Sequence, residues 1–227
     1  MWAVIKKEFK SYFLSPIGYI YIGIFLLLCS LFFYIDIFSY QSTMFSQMFG
    51  STVVVLTFLV PVLTMRMFSE ERKNGTEQLL LTSPRSVTSI VLGKFFAACF
   101  VVLISTFATL IYYGILCYFG KPHFASSIVA ILGFSLLSMA YVSFGMFASS
   151  LTENQVISAI ISVGFFLLLW FLPNMVSVLS NYSLMDAFYS SFMQGTISIA
   201  NLVLLLSFTI MFILFTIMVI QRRKLVK

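Results

Sequence analysis

Six apolar segments, each about as long as a lipid bilayer is thick, dominate this sequence. They lie at about 17–35, 50–68, 88–118, 125–149, 155–172 and 199–220. A helix needs about 20 apolar residues to cross a membrane, and a backbone inside hydrocarbon must satisfy its own hydrogen bonds. The segments therefore predict six spanning α-helices, of which the third is long enough to tilt or to project from the bilayer.

Composition excludes a soluble protein. Of the 227 residues, 61% are hydrophobic and 9% are charged, with a mean hydropathy of +1.07. A single soluble core could not bury so much apolar surface, so we expect an all-α integral membrane protein with one transmembrane domain over 1–227. Cys29, Cys99 and Cys117 all lie in apolar segments at no metal-ligand spacing, which predicts packing roles for them.

The positions of Lys and Arg predict the orientation. Twelve of the thirteen lie on the side of the membrane where both termini are predicted to be, and Lys121 is the exception. Because basic residues are retained on the cytoplasmic side, we expect both termini and the stretch 67–86 to be cytoplasmic in a cell (plasma) membrane protein. The short external loops are then about 36–49, 119–124 and 173–198. The formal charge of +6 is a topology signal, and no nucleic-acid partner is expected.

Residues 2–14 predict an amphipathic helix at the membrane surface. Its apolar face consists of Trp2, Ile5, Phe9 and Phe13. Lys7 and Lys10 face the other way, toward the headgroups of membrane lipid, and anionic lipid would attract them. Pro16 ends this helix and begins the first span.

The external loop 173–198 is moderately apolar, with Asp186 as its one charge. It is too short to cross the membrane twice. We expect one or two short helices that dip partway into the outer leaflet and are shielded by neighbouring spans. An ordered loop on the membrane surface is the alternative.

The stretch 67–86 carries three of the seven acids together with several bases, and it predicts a helix of roughly two turns. Asn74 is the expected N-cap, with Glu77 at capping-box spacing, and Gly75 allows a sharp turn. Pro84 ends the helix. The apolar ridge of this helix is Leu79, Leu80 and Leu81. An amphipathic loop helix lying on the membrane is the alternative.

Several kinds of chemistry are missing from the sequence. Gly93-Lys94 is the nearest approach to a phosphate-binding loop, but Phe95 stands where Ser or Thr is required. His123 is the one histidine, and the middles of the spans carry no ionisable residue, so neither an ion-driven pump nor an enzyme is expected. An apolar cavity between spans suits a hydrophobic or amphipathic cargo, unless these side chains simply face lipid and each other. The energy for moving such a cargo must then come from a partner protein.

Taken together, these features resemble the permease subunits of ABC-2-type transporters. The similarity is sharpest over 68–85, FSEERKNGTEQLLLTSPR, which resembles the family's coupling-helix region. The turn 149–155, SSLTENQ, is similar to the family's short loop between spans four and five. In length and general pattern the chain looks closest to the gliding-motility-associated permeases.

This resemblance implies a coupling-helix region at 69–84 and a permease that docks through 74–83 on a separate cytoplasmic ABC ATPase. The ATPase holds the ATP and Mg, so no cofactor is expected in this chain. It also implies a second permease, identical or different, and allows an extracytoplasmic accessory subunit. Glu153 would form a second ATPase contact, or would cap the fifth span through Thr152. The residues assigned to the ATPase interface are Glu70, Glu71, Arg72, Asn74, Gly75, Thr76, Glu77, Leu79, Leu80, Leu81, Pro84 and Glu153.

Two other functions remain open. A membrane scaffold that anchors a cytoplasmic complex without moving cargo would have the same spans and the same charged stretch. A membrane-embedded enzyme acting on lipid is disfavoured, because the sequence offers no acid–base or metal set. A cargo-sized cavity between paired subunits would distinguish transport from anchoring.

Overall fold

A computed structural model describes residues 2–39, 44–78, 86–120, 122–175 and 183–226, and the regular structure in these ranges is entirely helical. The helices are α1 (Trp2–Leu14), α2 (Pro16–Phe33), α3 (Phe45–Thr64), α4 (Ser69–Lys73), α5 (Val87–Ala108), α6 (Leu110–Phe119), α7 (Phe124–Leu151), α8 (Gln155–Met175), α9 (Leu184–Ala187) and α10 (Ile199–Val226). Two π-helical turns, Tyr34–Ser39 and Phe188–Phe192, continue α2 and α9. The predicted all-α fold is confirmed.

Five helical segments of the described chain are long and apolar enough to cross a bilayer. They contain α2, α3, α5 with α6, α7 and α10, and they match five of the predicted spans to within a few residues. The fifth predicted span corresponds to α8, whose 21 residues extend over about 31 Å. A crossing by α8 stays a prediction.

The long third segment is divided at Thr109, between α5 and α6. The hydroxyls of Ser105 and Thr106 both donate to the carbonyl of Val102, at 2.7 and 2.9 Å, and the Thr109 hydroxyl donates to the Thr106 carbonyl at 2.6 Å. Hydroxyl groups that bond back to the preceding turn disturb the helical ladder and bend helices. Its extra length therefore forms two helices rather than one uninterrupted span.

Helix α7 packs against α3, α5, α8 and α10 and lies at the centre of the described fold. It approaches α3 closely at Gly145, where an added Cβ would overlap the Thr64 hydroxyl. One turn later the Ser149 hydroxyl accepts hydrogen bonds from the backbone N–H groups of Phe68 and Ser69, at 3.0 and 3.1 Å. Small residues on α7 thus fix the point at which the chain leaves α3.

Aromatic rings fill the space between α7, α8 and α10. Tyr141 stacks on Phe166 with ring centroids 4.0 Å apart, and Phe144 stacks on Phe165 at 3.8 Å. Phe212 of α10 meets Phe144 edge-on at 4.9 Å. Such pairs stabilise beyond the area they bury. These rings pack on one another and so belong to the core of the chain.

The segment Leu184–Phe192 dips into the helical bundle. Its residue Phe192 lies against Gly133 of α7, and Met185 accepts a hydrogen bond from the Tyr141 hydroxyl at 3.6 Å. Gly133 and Tyr141 lie about 14 and 26 Å along α7 from its first residue. The structure therefore favours the dipping helix over the surface loop, while 176–182 lies outside the described residues.

Helix α1 forms as predicted, but part of its apolar face packs on α5. Ile5 is buried, and a Cβ on Gly93 of α5 would lie 2.7 Å from a methyl group of Val4. Trp2, by contrast, is 72% exposed. The helix is thus held by protein on one side, and Trp2 remains free to contact the membrane.

Candidate functional site

The chain leaves α3 through a turn at 65–68 and forms the short helix α4. The prediction that Asn74 is an N-cap was wrong, because Asn74 ends α4 in αR geometry and its N–H donates to the Glu70 carbonyl at 3.0 Å. An N-cap residue needs extended dihedral angles. Gly75 follows with φ of +69°, a conformation that glycine adopts at little cost. The sharp turn predicted at Gly75 is confirmed.

Lys94 of α5 is the centre of a buried ion cluster, which we call the Lys94 cluster. Its side chain is 3% exposed, and its ammonium lies 3.1 Å from Glu8 Oε2 and 2.8 Å from Glu71 Oε1. A buried charge is strongly destabilising unless opposite charges and hydrogen bonds compensate for its lost hydration. Glu8 belongs to α1 and Glu71 to α4, so this one ammonium joins three helices.

A cavity of about 290 Å³ lies beside the Lys94 cluster and is lined by groups of both charges. Two atoms there, Glu71 Oε2 and Arg66 Nε, are buried and form no hydrogen bond with the described residues. Burial, reinforced by the Glu8 carboxylate, raises the pKa of the Tyr12 phenol on the same cavity wall, so this hydroxyl stays protonated. Across the described residues, no group of three or more metal-ligating side chains is present.

A second group of charges, the Arg72 cluster, comprises Arg72, Glu77, Glu153 and Arg223. Arg72 lies 3.0 Å from the Glu153 carboxylate and also donates to the Leu151 carbonyl at 3.2 Å. Arg223 of α10 lies 3.2 Å from Glu77 Oε1. Planar guanidinium groups suit such multiple contacts, because their N–H donors form a fixed fork.

The Arg72 cluster joins parts of the chain that are far apart in sequence. Arg72 connects α4 with the turn between α7 and α8, and Arg223 connects Glu77 with the end of α10 and the Ser150 carbonyl, 2.5 Å away. A cavity of about 610 Å³ opens between these groups. The loop after α3 is therefore fixed to the ends of both α7 and α10.

The turn between α7 and α8 is stabilised by Asn154 rather than Glu153. The Asn154 side-chain oxygen accepts from the Val156 N–H at 2.9 Å, and the Thr152 hydroxyl accepts from the Asn154 N–H at 3.1 Å. The alternative in which Glu153 caps the fifth predicted span was therefore wrong. Glu153, with its side chain 63% exposed, instead pairs with Arg72.

The remaining residues assigned to the interface divide into two groups. Glu70 lies 4.0 Å from Arg66, and the Thr76 hydroxyl donates to the Glu71 carbonyl at 3.2 Å. Glu77, expected to complete a capping box, pairs instead with Arg72 and Arg223. Four assigned residues lie outside the described part of the chain: Leu79, Leu80, Leu81 and Pro84.

Sequence reasoning missed Glu8, Lys94 and Arg223 as parts of this site. Lys94 was counted as a topology signal, although an ionisable residue within an apolar segment indicates a buried partner. Glu8 is the one acid of the amphipathic α1, so it was a candidate for the buried partner of Lys94. Nothing in the sequence indicated that Arg223 would reach Glu77, because 146 residues separate them.

Comparison with known proteins gives one family. Residues 2–225 match the model of a family described as ABC-2 family transporter protein. This range contains both ion clusters and nearly the whole chain. No curated protein matches the chain. The predicted resemblance to ABC-2 permeases is therefore confirmed over nearly the whole chain, and assignment to the gliding-motility-associated subgroup stays a prediction.

Proposed function

This chain belongs to the ABC-2 family of transporter proteins, the membrane permeases of ABC transporters, and we propose that it exports a hydrophobic or amphipathic cargo with energy from a separate cytoplasmic ATPase. It carries no ATP site of its own in this proposal. ATP and Mg bind to the partner, which contacts the loop between α3 and α5. ATP-driven closure of two ATPase subunits then moves two permease subunits, identical or different.

The observation that carries this proposal is the attachment of the loop to the rest of the bundle. Through Glu71 it is joined to α1 and α5, and through Arg72 and Glu77 to the α7–α8 turn and to α10. A displacement of this loop is therefore transmitted to four other parts of the protein. Networks of packed side chains and ion pairs of this kind are what carries coupling between distant sites.

The distribution of buried charge also supports an external source of energy. Among the described residues, Lys94 is the one buried side chain that carries a charge, and it lies near the first turns of α5 with two carboxylates beside it. Ion-coupled transporters need titratable groups along the transport path. Nucleotide hydrolysis by a partner supplies the energy instead.

The interface with the ATPase is proposed to centre on Leu79, Leu80 and Leu81. Apolar side chains at the centre of an interface supply most of its binding energy, and exposed charges around them set orientation and association rate. Glu70 and Glu153 are the exposed acids on this side of the described residues. Their ion pairs with Arg66 and Arg72 hold them in position.

The proposal is tested by co-expressing the tagged chain with a candidate cytoplasmic ABC ATPase from the same genome. We expect the two proteins to co-purify. We expect Leu80→Asp with Leu81→Asp to abolish co-purification without preventing membrane insertion, because two carboxylates would have to be buried at the contact. Leu14→Asp, at an exposed position on α1, is the control and should retain the ATPase.

Normal co-purification of the double variant would contradict the proposed interface. Transport is a separate measurement on the wild-type complex, in which labelled amphipathic compounds are followed across the membranes of vesicles that contain both proteins. A complex that assembles but moves no cargo in any nucleotide state would favour the scaffold.

A further inference from the structure

Helices α1 and α5 form an apolar groove on the outer surface of the described bundle. The groove encloses about 350 Å³, within the range of about 300–1,000 Å³ that small-molecule sites occupy. Its lining residues are Trp2, Ile5, Lys6, Phe9, Phe100 and Ile104. Lys6 is the one charged residue among them, so the groove combines an apolar floor with a single cationic edge.

From Lys6, the groove follows α5 toward the middle of that helix, away from the end that contains Lys94. Helix α1 crosses α5 at Gly93, and Phe100 and Ile104 lie about 10 and 17 Å further along α5. Both side chains are partly exposed, at 40% and 43%. An apolar groove that starts at a lysine and continues toward the middle of a spanning helix matches the charged headgroup and apolar chain of a single membrane lipid.

The outward face of α1 is cationic because its one acid is used elsewhere. Glu8 points inward to the buried ammonium of Lys94. Lys6 and Lys10 are exposed, and within the described part of the chain neither lies within 4 Å of a carboxylate. They are four residues apart on a helix, a spacing at which like charges repel unless an anion lies between them.

We propose that this groove binds one anionic phospholipid of the surrounding membrane. An acyl chain lies along Phe100 and Ile104, and the phosphate lies between Lys6 and Lys10. The exposed Trp2 is placed at headgroup level, where indole rings are favoured. This lipid is a bound component of the membrane-embedded protein and is distinct from any transported cargo.

The selectivity follows from charge. A zwitterionic headgroup has an ammonium of its own beside the phosphate, so two protein ammonium groups attract it less than they attract a headgroup with net negative charge. The acyl chain adds affinity in proportion to the apolar area that it buries. A free phosphate compound lacks this second contribution.

The test is native mass spectrometry of the full-length protein, purified in detergent and titrated with phosphatidylglycerol or with phosphatidylcholine of the same acyl chains. We expect one tightly held phosphatidylglycerol and weaker retention of phosphatidylcholine. Lys6→Ala with Lys10→Ala should lower the affinity for phosphatidylglycerol, by about fivefold per lysine. Lys73→Ala with Lys224→Ala, which removes equal charge from exposed sites elsewhere, should leave it unchanged.

A second variant tests the groove without changing charge. Ile104→Trp fills the groove and should displace the lipid. In a separate competition experiment with the unchanged protein, soluble glycerol phosphate should fail to displace phosphatidylglycerol. Unchanged binding in the Lys6 and Lys10 variant, unchanged binding in the Ile104 variant, or equal retention of the two lipids would each overturn the proposal. The melting temperature of each variant without added lipid shows whether it is folded, and a misfolded Ile104 variant leaves the decision to the lysine pair.

Discussion

Lys94 shows how one side chain can determine the arrangement of several helices. It lies in an apolar helix with its side chain 3% exposed, and its ammonium donates to the carboxylates of Glu8 in α1 and Glu71 in α4, at 3.1 and 2.8 Å. Its ammonium also lies 5.3 Å from the centre of the Phe68 ring. Such a group is tolerated only with its partners in place, so it specifies the positions of both helices that provide them.

Replacement of Lys94 by Met should destabilise the protein by about 3–5 kcal/mol, because Glu8 and Glu71 would remain largely buried without their counter-charge. The measurement is the melting temperature of the purified protein in detergent. Lys73→Met, at an exposed position just beyond Arg72, is the matched control and should change the melting temperature little.

The triple variant Lys94→Met, Glu8→Gln and Glu71→Gln removes the buried charges together. It should recover much of the stability lost in the single variant, because no uncompensated charge remains. A wild-type melting temperature for Lys94→Met would contradict the assignment of Lys94 as the centre of a buried cluster.

At the scale of the helices, two neighbouring residues in the turn from α7 to α8 have different roles. Asn154 caps α8, and Glu153 forms an ion pair with another loop. Asn154 bonds the N–H of Val156 and so satisfies one of the free donors at the start of α8. Glu153 leaves the helix end and pairs with Arg72 of α4. The helix end is therefore stabilised locally, while the adjacent carboxylate connects two separate loops.

Asn154→Ala should destabilise the protein by about 1 kcal/mol, the usual cost of losing an N-cap. Glu153→Ala should cost at most about 0.5 kcal/mol, because exposed ion pairs contribute little and this carboxylate is mostly in contact with solvent. Thermal unfolding of the two variants in parallel makes each the control for the other. A larger loss for Glu153→Ala than for Asn154→Ala would reverse the assignment of the cap.

In the whole molecule, both ion clusters and the cationic α1 lie near the same ends of the long helices. Arg72 and Arg223 both contact Glu77, and Lys94 joins α1 to α4. The positive-inside rule then predicts that the protein is oriented with all of these groups on the cytoplasmic side. The loop that contains His123 follows at the opposite end of α6, before α7 begins.

This orientation predicts the outcome of thiol labelling in intact cells. In a variant without Cys29, Cys99 and Cys117, a membrane-impermeant maleimide added outside should label His123→Cys. It should label Lys73→Cys and Lys224→Cys only after the membrane is permeabilised, because both positions lie on the cytoplasmic side in the proposed topology. Labelling of either lysine position in sealed cells would contradict the topology.

Several features could be read from the sequence because they depend on local order along the chain. The six apolar segments predicted the long helices α2, α3, α5 with α6, α7, α8 and α10. A helix within hydrocarbon satisfies its backbone hydrogen bonds internally and presents apolar side chains to lipid or to its neighbours. The period of Trp2, Ile5 and Phe9 predicted α1 in the same way. The family resemblance also came from local motifs, and the match over residues 2–225 confirms it.

Which charges meet was decided by the tertiary structure alone. Lys94 and Glu8 are 86 residues apart, and Arg223 and Glu77 are 146 apart, so no periodicity of either segment could pair them. Asn74 was misjudged because the preceding helix continued through Lys73 and ended there. Helix formation follows from each segment's own composition, whereas ion pairing between segments follows from how the packed helices place their ends, and that placement depends on contacts throughout the bundle.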